Sequence, residues 1–173
     1  MTQAKIRIMP GRKAGLTSTP AFTGPQKTSA SFETGAPVKL SSGNLAAVST
    51  NSAGSILYVK KSSTDNCVGM AEGDAEASST NDIVVTRIME GMEFSGHLIE
   101  VTASASSAKT SKVGSTAYLA NDGTDTHWGF SLNTPGASSA SYIQGKITGL
   151  VDAASTVNGR VLVQITKGGA LSI

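Results

Sequence analysis

Asp82-Ile83-Val84-Val85-Thr86-Arg87-Ile88-Met89 and, after the break Glu90-Gly91, Met92-Glu93-Phe94-Ser95-Gly96-His97-Leu98-Ile99 form the stretch that decides the fold. In its second half Met92, Phe94 and Leu98 share one face, and Glu93, Ser95 and His97 take the other. That period of two marks a half-buried strand, because successive side chains on a strand point to opposite faces. The first half is rich in β-branched residues, which pack well on a pleated surface and are stiff in a helix. The stretch therefore predicts two strands joined by a hairpin or a tight bend at Glu90-Gly91.

Working outward, the same alternation returns downstream. From Tyr142 to Val151, Ile143 and Ile147 face one way and Gln144, Lys146 and Thr148 the other; from Gly159 to Lys167, Val161, Val163 and Ile165 point inward. Asn158-Gly159 before the last strand favours the left-handed backbone of a type I′ turn. Thr116-Ala117-Tyr118-Leu119 leads into the turn signal Asn121-Asp122-Gly123, with His127-Trp128-Gly129-Phe130 as the returning strand. Ser104 to Ser111, nearly all Ser, Ala and Lys, reads as an exposed loop. Upstream, Val38-Lys39-Leu40 precedes the polar turn Ser41-Ser42-Gly43-Asn44; Ser55 to Lys60 reads as a strand, and Cys67-Val68-Gly69-Met70-Ala71 as a short buried one. About six to nine short strands with no helix of three turns predict an all-β fold, a compact antiparallel β-barrel or β-sandwich.

The composition agrees. Nineteen glycines and a Ser plus Thr content of about a quarter of the chain serve helices poorly, since Ser and Thr compete for backbone hydrogen bonds and Gly loses the most freedom. An apolar fraction of 39% with a net charge of +2 is too hydrophobic for a wholly disordered chain, and 173 residues suit one domain. The basic excess is far too small for a polyphosphate, so no nucleic-acid partner is expected. Cys67 is the only cysteine, which excludes an intrachain disulfide and fits a small buried side chain better than a nucleophile. No apolar run reaches membrane-spanning length and no signal-peptide pattern is present, so the expectation is no membrane partner and assembly in the cytoplasm.

Residues 1–35 differ from the rest. Lys5, Arg7, Arg12, Lys13 and Lys27 stand against one acid, Glu33, and Pro10, Pro20 and Pro25 forbid a continuous helix. The segment reads as an extended basic N-terminal arm, followed by a β-domain over 36–173. An arm of that kind suits main-chain pairing along a partner's sheet edge.

Catalytic chemistry finds little to work with. His97 and His127 sit in no recognisable acid–base frame, and nucleophile-elbow, phosphate-loop and dinucleotide patterns are missing. Asp122-Gly123-Thr124-Asp125-Thr126-His127 gathers oxygen and imidazole donors, but its spacing fits a hairpin turn better than a metal loop. No catalytic residue, cofactor or metal ligand is predicted. Trp128 and Phe130, separated by Gly129, would share a sheet face and are expected as core or intersubunit anchors.

At Pro37-Val38-Lys39-Leu40-Ser41-Ser42-Gly43-Asn44, Leu57-Tyr58-Val59, Gly69-Met70-Ala71-Glu72-Gly73-Asp74-Ala75 and Glu90-Gly91-Met92-Glu93-Phe94-Ser95-Gly96 the chain resembles the small head decoration, or cement, proteins of tailed bacteriophages. The likeness spans Pro37 to Val101 and lies in the order of turns and strands. It implies a non-enzymatic structural protein of the virion that binds the outside of an icosahedral capsid. There it would act as a homotrimer, clamp neighbouring copies of the major capsid protein and stabilise the head, without a cofactor. Under that resemblance Lys5, Arg7, Arg12 and Lys13 are the expected capsid-contacting residues. The alternative is a receptor- or glycan-binding β-module of a phage fibre or bacterial surface, with Trp128 near Asp122 and Asp125 as its only aromatic–acid cluster.

Overall fold

A computed structural model describes residues 9–10, 21–48, 50–53, 56–59, 67–100, 107–123, 128–136 and 141–167. In chain order its strands are β1 (Met9–Pro10), β2 (Ala21–Pro25), β3 (Pro37–Ser41), β4 (Asn44–Ala47), β5 (Thr50–Ala53), β6 (Ile56–Val59) and β7 (Cys67–Ala71). There follow β8 (Asp82–Arg87), β9 (Glu93–His97), β10 (Thr116–Asn121), β11 (Trp128–Ser131), β12 (Gln144–Leu150) and β13 (Arg160–Lys167), with one 3-10 turn, η1, at Thr110–Lys112. No α-helix occurs among the described residues, and the fold is all-β.

The strands form two antiparallel sheets. The larger runs β1-β9-β13-β12-β10-β6-β5, with β11 on the other side of β10. It closes on itself where Leu98 bridges Phe130 and the Ile99 N–H donates to the Phe130 carbonyl at 2.9 Å, so that β9, β13, β12, β10 and β11 make a barrel. Closure demands a bare backbone at Gly129: a Cβ there would stand 2.4 Å from the His97 carbonyl oxygen and 3.0 Å from Ile99 Cγ2. The smaller sheet runs β2-β8-β7-β3-β4 and curls until β4 returns to the end of β2, where the Lys27 N–H donates to the Leu45 carbonyl at 2.9 Å.

The deciding stretch resolves into a corner and not a hairpin, because β8 lies in the smaller sheet and β9 in the larger. Gly91, at φ 83°, turns the chain in the left-handed region that Gly tolerates, and its N–H donates to the Ile165 carbonyl at 2.7 Å. The tight two-residue hairpin turn belongs instead to Ser42 and Gly43 between β3 and β4, with φ 51° and 83°, the pattern of a type I′ turn. Asn158 does adopt φ 51°, but it sits at the end of the longer 151–159 connection between β12 and β13.

Both sheets feed one core. Phe94, Leu98, Leu119, Phe130, Ile147, Val161, Val163 and Ile165 meet Val38, Leu45, Met70 and Val85 from the smaller sheet. Each such side chain contributes about 1.5–3 kcal/mol on leaving water. A second cluster of Ile56, Tyr58, Ile99, Tyr118, Ala120 and Tyr142 has Tyr58 edge-on to both other tyrosines, with ring centroids at 6.2 and 6.0 Å. On β6 and β10 these residues alternate with members of the main core, so this part of the larger sheet is buried on both faces.

Candidate functional site

The four arm residues expected to grip a partner, Lys5, Arg7, Arg12 and Lys13, lie outside the described residues, as do Asp125 and His127. What is described of the arm is extended and paired. Met9 and Pro10 stand beside Ser95 and Phe94 at the edge of β9. Ala21 to Pro25 run antiparallel to β8, from Ala21 beside Thr86 to Pro25 beside Asp82. The segment therefore touches the edges of both sheets, and its later part is built into the domain. Gln26 is wholly buried and Phe32 lies in the core. The Gln26 amide donates to the Glu76 and Ser79 carbonyls, at 2.5 and 3.0 Å, and accepts from the Glu76 N–H at 3.0 Å, pinning the connection between β7 and β8.

Trp128 and Phe130 both join the core, at 8% and 0% exposure. The indole N–H of Trp128 has no acceptor among the described residues. Trp128 and Asn121 also line a cleft of about 200 Å³ together with Phe32, Pro37, Val48 and Leu57, the last being the strand partner of Asn121. Residues 121–123 form the predicted turn, held by the Gly123 N–H donating to Asn121 Oδ1 at 2.8 Å. Among the described residues no three His, Cys, Asp or Glu side chains gather to hold a metal ion. His97 Nδ1 lies 2.5 Å from the Asn158 carbonyl, which ties the end of β9 to the 151–159 loop. Cys67 is fully buried, and that burial pushes its thiol up to about 12.

Local periodicity does not mark a polar cluster that gathers around Glu100. Glu100, half-buried just past the barrel seam, accepts hydrogen bonds from the Leu132 N–H, from Ser131 Oγ at 3.2 Å and from Asn133 Nδ2 at 2.6 Å. Tyr58 Oη lies 3.1 Å from Ser131 Oγ and donates to the Asn133 carbonyl at 3.0 Å. Burial raises the Glu100 carboxyl above its ordinary range, against the Leu132 and Ser131 hydrogen bonds and the charge of Lys112, all of which lower it. Burial, together with Lys109, lowers Lys112 against the opposing pull of Glu100. Tyr58 is raised, again chiefly by burial. Tyr58, Glu100 and the Ser131–Asn133 segment are far apart in sequence and share no local spacing; the only sequence cue is an acid directly after the apolar pair Leu98-Ile99.

No protein-family model, curated protein or solved structure matches the chain.

Proposed function

We propose that the protein is a virion structural protein that binds the outer surface of an icosahedral phage capsid and clamps neighbouring copies of the major capsid protein. It acts there as a homotrimer, with no catalytic step and with neither nucleic acid nor membrane as partner.

The observation that carries this reading is that stretches bearing the resemblance to phage decoration proteins are joined in space. Pro37 to Asn44 is the β3–β4 hairpin. Gly69 to Ala75 leaves β7 directly beside it, with Pro37 opposite Met70 and Val38 opposite Gly69. Glu90 to Gly96 is the corner and strand that deliver the chain into the barrel. The rigid two-sheet body then carries an N-terminal segment that enters along sheet edges, and its basic residues precede β2. In a trimer three such segments raise one another's effective concentration at the shell, so individually modest contacts sum to tight attachment. The receptor- or glycan-binding alternative needs an aromatic platform open to solvent, and the Trp128 indole is buried.

Co-sedimentation with expanded, undecorated capsids tests the reading. The full chain should pellet saturably with the shells. A variant with Lys5, Arg7, Arg12 and Lys13 all changed to Gln, which leaves β2, Gln26 and Phe32 in place, should bind at least several-fold more weakly. A full chain that stays in the supernatant at every shell concentration removes the proposal. Undiminished binding by the variant removes only the role of the arm.

A further inference from the structure

The cleft beside Trp128 lies next to the first described residue of the arm. Strand β9 has two edges, and β13 takes one of them, from Gln164 beside Glu93 to Arg160 beside His97. The other edge is shared. β1 holds its near half, with Pro10 opposite Phe94 and Met9 opposite Ser95. β11 holds its far half, where the Gly129 backbone lies against the His97 carbonyl and Leu98 bridges Phe130. The pairing of β1 is antiparallel, so the direction of the chain upstream of Met9 is along β9 toward His97, where β11 begins with Trp128. Only Gly96 separates Ser95, opposite Met9, from His97.

The cleft has the chemistry to receive what comes upstream. Phe32, Pro37, Val48 and Leu57 give it apolar walls, and its volume of about 200 Å³ is room for a branched aliphatic side chain. The Trp128 indole N–H is buried with no acceptor among the described residues, a costly state that a main-chain carbonyl passing the cleft would relieve. Before Met9 the sequence reads Lys5-Ile6-Arg7-Ile8, basic and apolar by turns. Residues opposite each other in an antiparallel pair share a face, and Phe94 is a core residue. The period of two therefore assigns Ile8 and Ile6 to the core side with Pro10, and Arg7 and Lys5 to the outer side.

We propose that this cleft is the seat of the chain's own arm, with the Ile8 side chain filling it, a main-chain carbonyl of residues 6–8 accepting from the Trp128 indole, and Arg7 and Lys5 turned outward.

The chain's own arm outcompetes that of a neighbouring copy because Met9 is already held beside the cleft, which gives Ile8 a high effective concentration there. The isoleucines then fix the root of the arm and the basic residues between them are presented to a partner. Under the capsid-binding reading, on which this consequence alone rests, Lys5 and Arg7 meet the shell already ordered, and less entropy is lost on binding.

The test is NMR of the full chain labelled at the isoleucine δ1-methyl groups, with the Ile8 signal assigned by its disappearance in Ile8→Val. The expected result is nuclear Overhauser contacts from the Ile8 methyl to the rings of Trp128 and Phe32, with an upfield shift from its position in the unfolded chain. An Ile8 methyl at the unfolded position without contact to either ring overturns the proposal. So do contacts that arise only between labelled and unlabelled copies in a mixed sample, which would make a second copy the occupant. The measurement uses the free protein, so a failure here is distinct from a failure to bind shells.

Discussion

Gly129→Ala probes the feature on which the larger sheet depends, its closure between β9 and β11. The added methyl would meet the His97 carbonyl oxygen at 2.4 Å, about 1 Å inside ordinary contact, and Ile99 Cγ2 at 3.0 Å. A backbone carbonyl cannot rotate away like the tip of a flexible side chain, so the seam must open. Forcing a methyl into packed structure costs about 1–3 kcal/mol. Stretching the hydrogen bond from Ile99 to Phe130 forfeits about 1 kcal/mol more. The smaller backbone entropy loss of Ala relative to Gly returns about 0.5–1 kcal/mol, leaving a net destabilisation of about 1–3.5 kcal/mol. In a chain of this length that corresponds to a fall of roughly 2–14 °C in the thermal midpoint. Urea unfolding followed by the fluorescence of Trp128, the chain's single tryptophan, measures the loss, and hydrogen exchange at the Ile99 amide reports the seam itself. Gly73→Ala is the control, because its nearest contact of 3.7 Å is ordinary and should leave the midpoint within about 0.5 kcal/mol of wild type. If Gly129→Ala unfolds at the same urea concentration as the control and keeps Ile99 protected, the closed-barrel reasoning is refuted.

Gln26→Leu removes an amide that serves two carbonyls and one N–H, and should cost about 2–4 kcal/mol in urea unfolding, with faster exchange at the Glu76 amide. Cys67 should resist an aromatic disulfide reagent at pH 8 in the native protein and react at once after unfolding; rapid native labelling would contradict its burial. Its thiol is an acid whose neutral form is favoured by folding, so its contribution is complete below its ordinary value of 9.0 and is lost as pH rises from there toward about 12. Cys67→Ala should accordingly flatten the alkaline limb of a plot of urea midpoint against pH. The Asp152 carboxyl is held below its ordinary value by hydrogen bonds from Arg160, so its contribution is present above pH 3.8 and fades as pH falls. Asp152→Asn should flatten the acid limb only slightly, because the pair is exposed and screened, and a large effect there would show that the pair is not the surface contact the structure draws.

What the sequence made legible was whatever is written in local periodicity. The alternation in Met92 to Leu98, in Tyr142 to Val151 and in Gly159 to Lys167 corresponds to β9, β12 and β13, with Phe94, Ile147, Val161, Val163 and Ile165 buried as the pattern required. The sequence concealed what depends on strands meeting across long separations. Nothing near Gly129 announces that the His97 backbone will pass against it, and nothing in Asp82 to Ile99 says that its two halves belong to different sheets. The strand Ala21 to Pro25 was hidden for a different reason. It has few apolar residues and lies between two prolines, a composition tolerated only at a sheet edge, where a missing N–H costs no ladder bond. The Glu100 cluster was invisible because Tyr58 comes from β6 while Ser131 and Asn133 come from the end of β11 and just beyond it, and side chains that converge only in space leave no spacing to read.

The most direct measurement is electron cryomicroscopy of expanded, undecorated capsids incubated with the full chain, reconstructed beside untreated shells. The cement reading predicts added density on the outer surface at symmetry-related positions, each a cluster of three two-sheet bodies touching more than one capsid subunit. Shells that remain bare at saturating protein would contradict it.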